Sequence, residues 1–110
     1  MDRLSRLTVY EVIAHPARLK IIEYLMDKGY YLTIKDIMQA FPSEPRMAYH
    51  VSVLYKFGFL ERKPDWKMWM YRLNHKPLID ALEEMVTKFS CLLRDLEFHA
   101  RRLNVAYATS

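Results

Sequence analysis

The sequence predicts a mainly α-helical domain carrying one β-hairpin. Three observations lead there. Apolar residues recur at helical spacing through most of the 110 residues. Proline and glycine fall where helices should begin and end, at His15-Pro16, Gly29, Pro45, Gly58 and Pro77. One aromatic-rich stretch, residues 59–73, alternates as paired strands do. With 52% of residues apolar and 14% aromatic, a packed globule is expected, and two glycines are too few for a Gly-rich phosphate-binding loop. A single cysteine, Cys91, rules out an internal disulfide. No secretory core or long apolar run is present, so the chain reads as soluble and cytoplasmic, nucleoid-associated or inside a host cell.

In chain order, the first helix is expected over Asp2 to Ile13, with Leu4, Leu7 or Thr8, and Val12 on one face and Asp2 at its N-terminus. His15-Pro16 breaks it, and a second helix runs from Pro16 to about Lys28, burying Leu19, Ile22 and Met26 beside Ile21 and Leu25, with Gly29 as its stop. Thr33 with Asp36 reads as a capping box opening a short helix to Ala40 that buries Ile34, Ile37 and Met38. After Phe41-Pro42-Ser43-Glu44-Pro45, with Ser43 or Glu44 as cap, a helix runs from Pro45 to about Phe57. Its inward face is Met47, Val51 and Leu54, with Ala48 beside them. Two short helices joined by so tight a turn form a helix-turn-helix pattern.

Residues 59–63 and 68–73 then pair as a hairpin, turned at Pro64-Asp65-Trp66-Lys67. Pro77 opens the last helix, whose seam is Leu78, Leu82, Met85, Phe89, Leu92, Leu96, His99 and Leu103, with Ile79, Val86, Leu93 and Ala100 widening it. Such a helix is roughly 40 Å long. Its apolar face calls for a second copy of the chain, with Leu4 and Leu7 adding to the interface; the competing reading is a core helix buried inside one copy. Residues 1–75 thus form one domain and 76–110 a dimerisation helix with a short tail.

The net charge is +4, and its distribution is uneven. Six Lys/Arg face five Asp/Glu in residues 1–42, six face three in 43–75, and five face five in 76–110. The excess sits in the helix-turn-helix and hairpin, where phosphate contacts would need it.

The order of elements is that of a winged helix domain. His15-Pro16-Ala17-Arg18-Leu19-Lys20-Ile21-Ile22-Glu23-Tyr24-Leu25 resembles the D-P-x-R-L-x-I-L-x-x-L segment of ArsR/SmtB-like regulators. His50-Val51-Ser52-Val53-Leu54-Tyr55-Lys56-Phe57-Gly58-Phe59-Leu60 resembles that family's H-L-x-x-L-x-x-x-G-L-V, and Thr33-Ile34-Lys35-Asp36-Ile37 its scaffold helix. The resemblance spans about residues 14–73. It implies a winged helix-turn-helix with a long C-terminal dimerisation helix, acting as a homodimeric transcriptional regulator on a pseudo-palindromic duplex. The helix 45–57 would enter the major groove, and the wing, residues 60–74, would lie on the backbone or minor groove.

On that geometry Arg46, Tyr49, His50 and Val53 face DNA, with Ser52 and Lys56 at the edges, Ser43 on a phosphate, and Arg62, Lys63 and Lys67 on the wing. Tyr49 and His50 have a structural alternative in local packing. One of Trp66 and Trp69 is expected to pack beneath the hairpin; Arg3, Arg6, Arg101 and Arg102 are secondary candidates for flanking the site, with a role away from it the favoured reading. The family's metal sites do not carry over. Residues 33–40 hold no cysteine, and Asp80, Glu83, Glu84, Asp95, Glu97 and His99 do not reproduce its Asp-x-His and His-x-x-Glu spacing. Cys91, between two apolar rows, reads as a packed thiol. No metal, cofactor or catalytic constellation is expected. The rival readings are a winged helix protein-interaction module and a non-specific chromatin or nucleic-acid-binding protein.

Overall fold

The computed structural model describes residues 7–104. Among them the order is α1 Val9–Ile13, α2 Pro16–Lys28, β1 Leu32–Thr33, α3 Ile34–Ala40, α4 Met47–Lys56, β2 Leu60–Asp65, β3 Met68–Leu73 and α5 His75–Arg102. The chain divides into two compact units at Leu78/Ile79. The expected start of the first helix at Asp2, together with Arg3, Leu4 and Arg6, lies outside the described residues. Within them the helix begins at Val9, where the Thr8 hydroxyl caps it by accepting the Glu11 N–H at 3.1 Å.

Local chemistry sets the next boundaries. His15 takes extended backbone before Pro16, and its Nδ1 accepts the Ala17 N–H at 3.2 Å, so an imidazole serves as N-cap. Gly29 ends α2 at φ 71°, a left-handed conformation that glycine adopts without steric cost. Thr33 and Asp36 exchange two 3.1 Å hydrogen bonds, completing the capping box of α3.

The inward faces differ from expectation at several positions. On α2 the buried set is Ala17, Arg18, Ile21, Ile22 and Leu25, while Leu19 and Met26 are exposed. On α3 only Ile37 is buried, and Met38 is exposed. A two-residue strand, β1, was too short to carry a periodic signal; it pairs Leu32 with Tyr71 and Thr33 with Met70. The sheet is antiparallel in the order β1-β3-β2, so Pro64 lies in an edge strand, where a missing donor is tolerated. Val12, Ile13, Ile21, Ile37, Val51, Val53 and Leu54 are the fully buried centre, closed by Phe59, Leu60, Tyr71 and Leu73 from the sheet side.

Helix α5 starts at His75, two residues before Pro77, which sits in the first turn where no intrahelical N–H is needed. Of the residues expected on the seam, Leu78 and Met85 are buried. Leu82, Phe89, Leu92, Leu96 and Leu103 are 40–60% exposed, as are Ile79, Val86 and Leu93 to a similar degree. His99 is exposed and Leu7 half-buried. Cys91 is also exposed and not packed; Arg94 Nη2 donates to its sulfur at 3.3 Å. Among the described residues no helix is long and apolar enough to cross a membrane.

One buried cation ties three helices together. Arg18, 4% exposed, donates from Nε to the Val12 carbonyl at 2.7 Å, from Nη2 to the Glu11 carbonyl at 3.1 Å and from Nη1 to His50 Nδ1 at 3.0 Å. Arginine can only donate, so His50 Nδ1 must accept and the ring is neutral with its proton on Nε2. His15 Nδ1 accepts likewise, and the two rings lie 4.6 Å apart. Burial first, and then the charge of Arg18, pulls His15 below its usual 6.5 against a weaker opposing pull from Glu44. Burial, then His15, Arg18 and Arg46, do the same to His50, again with Glu44 opposing.

Two outcomes follow for stability. Arg18→Met strands two carbonyl acceptors and should cost about 2–4 kcal/mol of unfolding free energy in a urea titration; a loss below about 0.5 kcal/mol would contradict the assigned role. Since both imidazoles bind protons more weakly folded than unfolded, the unfolded chain takes up more protons below about pH 6.5. Stability is therefore full above that pH and falls as pH drops through it toward the folded-state values. Thermal midpoints measured from pH 8 to 5 should decline, and His50→Gln should flatten part of the slope. A midpoint that rises on acidification would show the rings charged in the native state.

Candidate nucleic-acid interface

The turn between α3 and α4 fixes where the second helix points. Glu44 N–H bonds the Phe41 carbonyl at 3.1 Å, and the Glu44 carboxylate receives Lys20 Nζ of α2 at 3.1 Å. Pro45 lies in this turn and not in the helix, a correction to the expected start. Arg46 follows in the left-handed region at φ 64° and acts as N-cap, its carbonyl accepting the His50 N–H at 3.1 Å with no side-chain cap from Ser43, Glu44 or Arg46 itself. The unusual backbone folds the Arg46 guanidinium back over the Tyr49 ring, 4.2 Å from its centroid.

Rotation of α4 about its axis is set by its buried residues, Met47, His50, Val51, Val53 and Leu54. His50 and Val53, expected to face DNA, thus point inward: the first is held by Arg18 and the second is fully buried. What remains outside is Ala48, Tyr49, Ser52, Tyr55 and Lys56, half-buried to exposed. Ala48 and Tyr55 were not anticipated. The spacing 47, 50, 51, 54 was available as a four-member inward stripe and would have placed 48, 52 and 55 outside; the polarity of His50 concealed it.

The hairpin adjoins this face. Cross-strand pairing sets Leu60 against Leu73, Arg62 against Tyr71 and Pro64 against Trp69, so these six side chains share one side of the sheet. Arg62 sits between two aromatic rings, 4.0 Å from the Tyr55 ring of α4 and 4.0 Å from that of Trp69. On the other side Lys63 and Arg72 flank Tyr31, at 4.4 and 4.6 Å, and Arg72 is paired with Glu61 at 2.8 Å. That hydrogen bond holds the Arg72 pKa above its usual value. A two-residue turn, Trp66-Lys67, closes the hairpin. Neither tryptophan packs beneath it: Trp69 is 43% and Trp66 97% exposed.

The sequence candidates therefore separate. Arg46, Tyr49, Ser52, Lys56, Arg62, Lys63 and Lys67 lie on α4's outward side, its N-cap and the hairpin; Ser43 is exposed in the preceding turn. Among the described residues, Lys20, Arg72 and Lys88 pair with carboxylates, whereas Arg46, Lys56, Arg62, Lys63 and Lys67 do not. Arg101 and Arg102 lie in the last turn of α5. No three His, Cys, Asp or Glu side chains among the described residues come together in a metal-holding group.

No protein-family sequence profile matches the chain, and no curated protein does either. Solved structures do. A crystal structure of a possible transcriptional regulator for arsenical resistance aligns with a TM-score of 0.64 at 24% identity, over 81% of this chain and 96% of the other. An ArsR family transcriptional regulator, RHA00566, aligns at 0.60 with 16% identity, over 77% and 86%. Rv0081 of M. tuberculosis aligns at 0.53 with 20% identity, over 83% and 88%. At these identities the likeness establishes architecture, and the fold is that of the winged helix-turn-helix.

Proposed function

We propose that the protein is a homodimeric transcriptional regulator that binds double-stranded DNA sequence-selectively. In this reading α4 enters the major groove and the hairpin lies over the adjoining backbone or minor groove. One observation carries it: five cations without carboxylate partners, Arg46, Lys56, Arg62, Lys63 and Lys67, are grouped on the outward side of α4 and the hairpin beside it. The likeness to regulators of transcription supports the same reading. Arg46, at the start of α4, stands where a guanidinium can bond guanine O6 and N7 together. Tyr49, Ser52 and Tyr55 offer hydroxyls to bases or phosphates, and Lys56, Arg62, Lys63 and Lys67 neutralise phosphates. Homodimerisation rests on the exposed row Leu82, Phe89, Leu92, Leu96 and Leu103 along α5, a longer apolar stripe than monomers usually leave in water. Two-fold symmetry then calls for half-sites about one helical turn apart.

A gel-shift series with duplexes selected from a random pool, run over a range of salt, tests the function. Selective, steeply salt-dependent binding is expected. Equal binding to all duplexes would instead mark a chromatin-type protein, and no binding an interaction module. Lys56→Ala should weaken binding to all duplexes and lower the salt slope by about 1. Arg46→Gln should relax choice at one base pair by roughly 1–3 kcal/mol; unchanged selectivity would displace Arg46 from the reading surface. Leu92→Asp should convert a dimer to monomer or unfolded chain in light scattering, and an intact dimer would remove α5 as the interface.

A further inference from the structure

The tip of the hairpin carries a side chain with no role inside the fold. Trp66 is 97% exposed, and its backbone is left-handed at φ 55°. Asn or Gly relieves such a turn position, whereas tryptophan pays its strain. An indole that buries 150–250 Å² elsewhere here buries almost nothing. Around it stand Lys67 in the same turn and Lys63 and Arg62 lower on the strand, against the single carboxylate of Asp65. The surroundings suit an anionic partner better than an apolar or basic one.

We propose that Trp66 is an aromatic wedge that the hairpin drives into the minor groove, partly unstacking a base step. This rests on the DNA-binding reading above. The stack of Arg62 on Tyr55 fixes the base of the hairpin beside the outward face of α4. Three further residues of strand and then Trp66 itself, at about 3.3 Å each, carry the chain roughly 13 Å beyond that point, enough to cross one phosphate ridge from a helix seated in the major groove. The minor groove, about 6 Å wide, excludes a helix but admits a flat ring entering edge-on. Lys67, beside the indole, meets the phosphates at the groove edge. The wedge favours steps that unstack easily, pyrimidine–purine ones, and so adds selectivity at base pairs that α4 never touches.

The test uses the full chain and a 30-base-pair duplex selected by the protein from a random pool, with complex formation followed separately by the anisotropy of a labelled strand. Trp69→Phe leaves Trp66 as the single indole. Its emission should be strongly quenched by the duplex, and its access to acrylamide should fall severalfold in the complex. Trp66→Ala should weaken binding by about 5- to 150-fold, the worth of one stacked base. It should do so without lowering the thermal midpoint, and Trp66→Phe should recover most of the loss. Circular-permutation gels should show a bend that Trp66→Ala reduces. If the complex forms while Trp66 stays fully open to acrylamide and Trp66→Ala binds as tightly, the wedge is refuted and the regulator reading survives. If neither selected nor random duplex binds at low salt, both fall together. An emission blue shift with anionic vesicles and none with duplex would also overturn the wedge.

Discussion

The buried guanidinium of Arg18 is the constraint on which the displayed surface depends. A charged group removed from water is costly unless its donors are answered. Here the answers come from the Glu11 and Val12 carbonyls of α1 and from His50 on α4. A neutral imidazole with Nδ1 free to accept is therefore required at the inner side of α4. Turning α4 by one residue, about 100°, would leave Arg18 without that acceptor and lift Val51 or Val53 out of the core. Rotation is thus locked from behind, and Ala48, Ser52 and Tyr55 are presented at the front as a consequence.

On the outward side, cations and aromatic rings hold one another in place. Arg46 on Tyr49, Arg62 between Tyr55 and Trp69, and Lys63 on Tyr31 are each worth about 0.5–1 kcal/mol at exposed positions. That is too little to hold the domain together. It is enough to restrict long, rotamer-rich side chains before a partner arrives, which lowers the ordering cost of association. The Arg62 stack does more, since its two rings belong to different elements. Helix α4 and the Arg62 side of the hairpin are thereby held together.

The terminal helix poses a different physical problem. Over its 28 residues α5 keeps a continuous apolar row, yet only Leu78 and Met85 are buried. Leucines and a phenylalanine at four-three spacing, 40–60% exposed, forgo about 25 cal/mol for each Å² left uncovered. Surface of this kind is covered most economically by an identical copy, because a two-fold axis buries the same row twice.

Much of the architecture was legible in the sequence because its signals are local. His15-Pro16, Gly29 and the Thr33/Asp36 pair bound helices through groups no more than a few residues apart. The aromatic alternation before Pro77 marked the hairpin. Hydrophobic period alone identified α5. Other features required the folded chain. Whether His50 faces a duplex or the core depends on an arginine 32 residues away, and no polarity scale contains that distance. Leu19, Met26 and Met38 matched the helical period but met no opposing element, so they remain in water. Strand β1 exists only because Tyr71 and Met70 offer it an edge. The left-handed backbone of Arg46 and Trp66 comes from how two turns close, and neither residue type announces it. Sequence by itself determined the helices, the hairpin and their order, since those follow from neighbours along the chain. Tertiary structure decided which side each element shows, since that follows from what packs across from it.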